Sequence, residues 1–262
     1  KMRITSSYGI KLTGDLTALE TSIRVYRQAL SFIIPIINDG WEMMSQCEHT
    51  NQKYNMIEKW IHTTSKNQAR FDFDEQFPKF PTYLRRSAIA KALGIVSSYR
   101  SNLKNWEEEP KGQAPKLSLH HYTYPAYYKG NLFRNFDPIL QTIELKVFKN
   151  GDWVYEVYQL KTSDCTYYQT HLTGKKQNVP VIQKKGRRFY ATFSYEEETV
   201  LVPEESIRKV CAVDLGLGTD ATCSIMDEEG TVYARKFISF SKEHDRLDTQ
   251  LGRIKRNQKR GS

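Results

Sequence analysis

No apolar run in these 262 residues approaches the roughly 20 that a membrane-spanning helix needs. The longest, Leu30 to Ile37, is short and contains Pro35. No basic stretch followed by an apolar one opens the chain, so no signal peptide and no membrane partner are expected. Cysteine is scarce: Cys47, Cys165, Cys211 and Cys223 lie far apart, with no CxxC or Cys/His spacing among them. No zinc site is expected within this segment, and the four fit reduced, buried thiols of a cytoplasmic protein. Acidic residues are outnumbered. The formal charge is +9 and the isoelectric point about 9.2, a balance that favours polyanionic partners, nucleic acid before anionic membrane. With 39% hydrophobic residues and a mean hydropathy of -0.63, the chain can still build a core, as one large domain or two to three smaller ones.

The charge is concentrated. Residues 235–262 hold nine Lys/Arg against three acids, a net +6 in the last tenth of the sequence. At the other end, Met2–Leu12 alternates as a short strand. Thr17-Ala18-Leu19-Glu20 then has the form of a capping box, and Leu19, Ile23, Tyr26, Leu30, Ile33 and Ile37 recur at helical steps. Pro35 is expected to bend that helix. A second helix is expected over about 52–67, a connector over 72–81, and a third helix from Thr82, with Ile89, Leu93, Val96, Leu103 and Trp106 on its apolar side. Other faces of that helix carry Arg85, Arg86, Lys91, Arg100 and Lys104, which a solvated polar face would also explain. From 110 to 138 no period is sustained. Strands follow around Ile143–Val147 and Trp153–Leu160, joined at Asn150-Gly151, the strongest short hairpin signal. Two more fit Val179–Gln183 and Phe189–Phe193, around the basic turn Lys184-Lys185-Gly186-Arg187-Arg188. The pattern is of a helical module inserted between the first strand and the rest of a β-barrel, an α+β multidomain chain.

A third region is expected from Ile207. Val210–Leu215, Ala221–Met226 and Thr231–Phe237 read as strands, with a turn at Asp227-Glu228-Glu229-Gly230 and a helix from about Ser241. Leu247, Leu251 and Ile254 share one face of it; Arg253, Arg256 and Arg260 share another. The sharpest local feature is Ala212-Val213-Asp214-Leu215-Gly216-Leu217-Gly218. A lone acid at the end of an apolar strand, followed by glycines and a hairpin, is how RNase H-like domains begin. Asp214 would then face a divalent metal, and Gly216 would allow close approach of substrate. Actin-like and sugar-kinase folds open on a similar Asp-x-Gly followed by hydroxyl residues, here Thr219 and Thr222. A structural turn capped by Asp214 is a third possibility.

Three stretches in this order resemble the TnpB-type transposon-encoded RNA-guided nucleases, relatives of the type V CRISPR effectors. Val210–Leu217 with Gly230 is similar to their first RuvC motif. Arg253-Ile254-Lys255-Arg256-Asn257-Gln258-Lys259-Arg260-Gly261-Ser262 is similar to the basic helix after it. Phe80-Pro81-Thr82-Tyr83-Leu84-Arg85-Arg86-Ser87-Ala88-Ile89, continuing to Trp106, is similar to a recognition-module helix. The resemblance implies a β-barrel wedge (1–14 and 116–206), an inserted helical recognition module (15–115) and the start of an RNase H-like RuvC domain (207–262). It also implies a magnesium-dependent DNA endonuclease that binds guide RNA and target double-stranded DNA beside a short flanking motif. Asp214 would be the catalytic and metal-binding acid. Tyr83, Arg85, Arg86 and Ser87 would meet the flanking duplex, with Arg100 and Lys104 further along the same helix. Lys184, Lys185, Arg187, Arg188, Arg253, Lys255, Arg256, Lys259 and Arg260 would hold RNA or heteroduplex phosphates. Tyr122, Tyr124, Tyr127 and Tyr128 fit either base stacking or barrel packing.

The family's later RuvC acids and four-cysteine zinc module are missing from these residues, so the segment is expected to be part of a longer chain. A nuclease-inactive, RNA-guided DNA-binding repressor on the same scaffold is an alternative. An ATP-binding protein of the actin-like fold is another, against which the basic C-terminal stretch argues.

Overall fold

A computed structural model describes residues 2–119, 123–200, 208–216 and 220–260, with side chains to 258. Tyr122, Ile207, Leu217 to Thr219 and the closing Gly261-Ser262, all named above, lie outside them. The chain divides into two compact units, Arg3–Glu198 and Thr199–Ser262 with Lys1–Met2. Among the described residues no helix is long and apolar enough to cross a membrane.

The first unit opens with β1 (Met2–Thr13), followed by five helices: α1 (Thr17–Asp39), α2 (Trp41–Ser45), α3 (Thr50–Ile61), α4 (Phe73–Gln76) and α5 (Thr82–Glu108). The apolar positions of α1 behave as their spacing requires: Leu19, Ile23, Tyr26, Leu30, Ile33 and Ile37 are all buried. The expected capping box does not form. Asp15 takes its place, its carboxylate accepting the Thr17 amide at 3.0 Å, while the Glu20 carboxylate turns outward to Lys184. Pro35 sits on the exposed side, and α1 continues past it to Asp39. The one-turn α4 occupies the stretch expected to be a connector. Its Phe73 is fully buried among Phe32, Phe77 and Phe80, which explains why so short a helix persists.

The remaining strands are β2 (Phe133–Asp137), β3 (Thr142–Lys149), β4 (Asp152–Leu160), β5 (Lys176–Gln177), β6 (Val181–Lys185) and β7 (Arg188–Thr199). With β1 they make a curled antiparallel half-barrel in the order β2-β3-β4-β1-β7-β5, β6 pairing with β7. Asn150 (φ 52°) and Gly151 (φ 82°) both take the left-handed conformation in the β3–β4 turn, pairing Lys149 with Asp152. A helix that the sequence did not suggest, α6 (Thr162–His171), follows β4. It buries only Cys165, so it has no apolar stripe to read.

Helices and sheet share one core. Ile143, Leu145 and Val147 of β3 are fully buried in the same cluster as the α1 stripe and as Leu84, Ala88, Ile89 and Val96 of α5. Ser22 of α1 is buried at that junction. Its hydroxyl donates to the Ala18 carbonyl and accepts the Phe148 amide, both at 2.7 Å, so this buried polar group is satisfied.

The second unit is a three-stranded antiparallel meander, β8 (Lys209–Asp214), β9 (Ala221–Asp227) and β10 (Val232–Ile238), followed by α7 (Ser241–Arg260). Asp227 closes the β9–β10 turn by accepting the amides of Glu229 and Thr231 and the Tyr233 hydroxyl. None of its described residues is buried. The expectation of four buried thiols is therefore corrected. Cys165 is buried, but Cys211 on β8 is exposed, and Cys47 and Cys223 are half-buried.

Candidate nucleic-acid interface

Sequence reasoning did not single out Arg24 and Arg27. They lie with Gln28 and Ser31 at the i, i+3, i+4 and i+7 positions of α1, on the face opposite its apolar stripe. That face borders an open groove of about 1120 Å³, whose far side is Lys184 of β6 and Phe189 of β7. Arg27 is fixed there: its Nε donates to the Thr123 carbonyl at 3.0 Å, and its guanidinium lies 4.9 Å from the centre of the Tyr124 ring. Tyr124 in turn donates its hydroxyl to the Lys184 carbonyl. Lys184 pairs with Glu20 and lies over the Phe189 ring. Rigid cations beside aromatic rings in an open trough can hold a phosphate backbone and stack bases. The 24/27/28/31 spacing was legible, but only the fold brings the β6–β7 hairpin against it.

Of the other basic residues on that hairpin, Lys185 lies over Tyr190 at 5.6 Å, and Arg187 and Arg188 are exposed. Tyr127 belongs to the core: it is 1% exposed, with its hydroxyl on the Lys146 carbonyl, and burial pushes that phenol upward.

The residues singled out on α5 separate by depth. Tyr83 and Arg86 reach the surface, with the Arg86 guanidinium 5.7 Å from the Tyr83 ring centre. Arg85 and Ser87 do not. Arg85 is 3% exposed, and its Nη2 donates to Glu58 on α3 at 3.3 Å. Ser87 is buried, and its Oγ accepts the Ala126 amide at 3.3 Å. Both were expected to meet a duplex; in this fold they join α5 to its neighbours, because they sit on its inward side with Leu84 and Ala88. Arg100 also acts internally, donating from Nη2 to the Asn38 carbonyl at 2.8 Å and so satisfying the end of α1. Lys104 is exposed, 3.9 Å from Glu108 one turn on.

In the second unit Asp214 ends β8, exposed, in register with Thr222. Among the described residues no group of three or more potential ligands gathers to hold a metal ion, so these residues do not by themselves fit a magnesium site. Arg253, Lys255 and Arg256 are exposed along α7, with Arg256 Nε donating to the Gly252 carbonyl at 3.2 Å. Lys259 and Arg260 end the same helix; their side chains lie outside the described residues. Asp220 latches the start of α7 to the strand side. Its carboxylate accepts the Phe240 amide and faces His244 Nε2, each at 2.5 Å. The Phe240 amide and His244 hold Asp220 below the ordinary carboxylate range, and the same contact raises His244.

A curled half-barrel carrying packed helices, with cation-lined grooves, defines a mixed α+β class of protein. Within it, the sequence profile of the Aq_aa04 family matches residues 5–149, and the chain belongs to that family. The Aquifex aeolicus protein aq_aa04, described as uncharacterised, is 50% identical over 50 residues, which cover 19% of this chain and 28% of that protein. Among solved structures, a Cas12i–crRNA–dsDNA complex seen by cryo-EM aligns at a TM-score of 0.30 and 13% identity, over 83% of this chain and 29% of that one. The chain thus spans less than a third of either protein.

Proposed function

We propose that this protein binds nucleic acid as an RNA-guided DNA endonuclease of the TnpB type, holding guide RNA and complementary DNA. The observation that carries the reading is the groove in which Arg24, Arg27 and Lys184 converge beside Tyr124 and Phe189. Cations held beside aromatic rings, as Arg27 and Lys184 are, grip phosphates without reading sequence, which suits a protein whose specificity comes from guide pairing. The exposed cations of α7 extend the same chemistry to the second unit. Asp214 ends a strand whose meander is followed by that helix, and it would contribute one carboxylate toward magnesium. The further carboxylates that such an ion needs do not gather around it among the described residues.

A second reading keeps the same scaffold without cleavage, the nuclease-inactive repressor, and the same groove would serve it. The test is to purify the protein as encoded at its native locus and sequence any RNA that accompanies it. Binding and cleavage of matched DNA with magnesium are then assayed for the native protein and for Asp214→Ala. A discrete RNA with cleavage that the variant loses supports the nuclease. Guided binding without cleavage selects the repressor. Absence of RNA overturns both.

A further inference from the structure

Around the start of α5 lies a second site, separate from the α1 groove. A cavity of about 450 Å³ is walled by Tyr54 of α3, Tyr83 of α5 and Tyr128, with Asn51, Asn55 and Arg86 at its rim. Tyr83 and Tyr128 have ring centres 5.6 Å apart and tilted, so they shape a corner rather than a closed stack. Asn51 and Asn55 stand one turn apart on the same side of α3, both exposed. Among the described residues neither carboxamide, and none of the three tyrosine hydroxyls, makes a hydrogen bond. Glu58 lies within the cavity but is already committed to Arg85 at 3.3 Å and Arg86 at 3.6 Å. Of these two cations only Arg86 borders the cavity; Arg85 is buried behind it.

A second groove shares Tyr83 and Arg86 with this cavity and runs past the opening turn of α5, Lys79 and Lys146. No side chain caps that 27-residue helix. The shared Tyr83–Arg86 wall therefore has an aromatic, carboxamide-bearing pocket on one side and a trough on the other in which Lys79, Lys146 and Arg86 outnumber Asp74, Lys79 being paired with Asp152 at 3.1 Å.

We infer that this pocket receives one unpaired base of a nucleic-acid strand, adenine by preference, while the adjoining trough takes its phosphates. Three tyrosine faces suit stacking. A carboxamide offers the paired donor and acceptor that match the N6–N7 edge of adenine. The cavity suits a nucleoside-sized group, and a base inside a duplex cannot enter it without leaving the stack. The inference rests on the nucleic-acid reading above and narrows it to a single position of the strand.

The test uses fluorescence anisotropy with a labelled strand of about ten thymidines, and the same strand with one central adenosine. The adenosine should tighten binding about tenfold. Tyr83→Leu should erase that preference, so that the two strands bind alike. Asn55→Ala, at an exposed position where folding is not at stake, should remove part of it. Equal binding of both strands overturns the pocket and leaves the nucleic-acid reading intact. Failure of both strands to bind overturns both. Adenosine monophosphate competing as well as the strand overturns the strand assignment in favour of a free nucleotide.

Discussion

The two units of this chain obey the same periodicities with opposite results. In Arg3–Glu198 the stripe Leu19, Ile23, Tyr26, Leu30, Ile33 and Ile37 vanishes from solvent, and so do the inward residues of β3. In Thr199–Ser262 the stripe Leu247, Leu251 and Ile254 remains 56%, 43% and 52% exposed, and Val213 of β8 remains 57% exposed. Amphipathic spacing specifies which face of an element is apolar; it does not specify that anything covers it. The grooves of the first unit are therefore shaped by a packed core. Asp214 and the α7 cations stand on a strand ladder, one turn and one carboxylate latch.

Truncating matched positions tests this contrast most strongly. Leu30→Ala should cost about 4 kcal/mol, because a fully buried leucine leaves a cavity. Leu251→Ala should stay within about 0.5 kcal/mol, as surface changes do. Urea denaturation of the two variants measures both. A comparable loss for Leu251→Ala would break the comparison, since it would mean that α7 is covered in solution. Next in size is Glu58→Gln, which leaves the Arg85 guanidinium buried with a neutral partner where its Nε already has none. A loss of about 3 kcal/mol is expected in the same assay. A near-neutral result would show that Arg85 can reach water and would return it to the surface chemistry first expected of it.

Most of the frame is legible in the sequence alone. The α1 stripe, the Asn150-Gly151 turn, the strands from Lys209 to Ile238 and helix α7 follow local rules, in which a residue's neighbours along the chain determine its conformation. What escaped was tertiary. Helix α6 has no apolar stripe, so nothing in its sequence announces it. Arg85, Arg86 and Ser87 are adjacent, and only the side of α5 that meets α3 and Ala126 decides that Arg86 reaches solvent while the other two do not. The α1 groove needs the β6–β7 hairpin, more than 150 residues away in sequence, to have a second wall. Gly40 is a smaller case: a Cβ there would lie 2.5 Å from the Trp60 ring, a close approach that no local pattern reveals.

The α7 cations sharpen the comparison in function rather than stability. Replacing Arg253 and Arg256 together with Gln should leave unfolding unchanged, because both are exposed. In RNA binding measured against salt, the slope should fall by about one for each lost phosphate contact. An unchanged slope would make that face solvated surface and confine binding to the first unit.

The smallest effect expected concerns the latch that holds α7 in place of a core. The Phe240 amide and then His244 lower Asp220 from its ordinary 3.8, so its contribution is present above that value and is lost as pH falls through the lowered one. Asp220 raises His244 from its ordinary 6.5, so that contribution is complete below 6.5 and fades as pH rises through the raised value. The latch is therefore strongest from about pH 4 to 6.5 and weakens on the alkaline side, where the His244 ring loses its charge. In an NMR titration the His244 ring should titrate above an ordinary histidine, and Asp220→Asn should shift its midpoint down without unfolding the first unit. Asp245 and Asp248 on α7 also favour the charged ring, so some elevation should survive the substitution. A midpoint unmoved by Asp220→Asn would mean that His244 does not hold Asp220 in solution. Asp220 would then hold the start of α7 through the Phe240 amide, and the contrast between a unit fixed by its core and one fixed by single contacts would be sharper still.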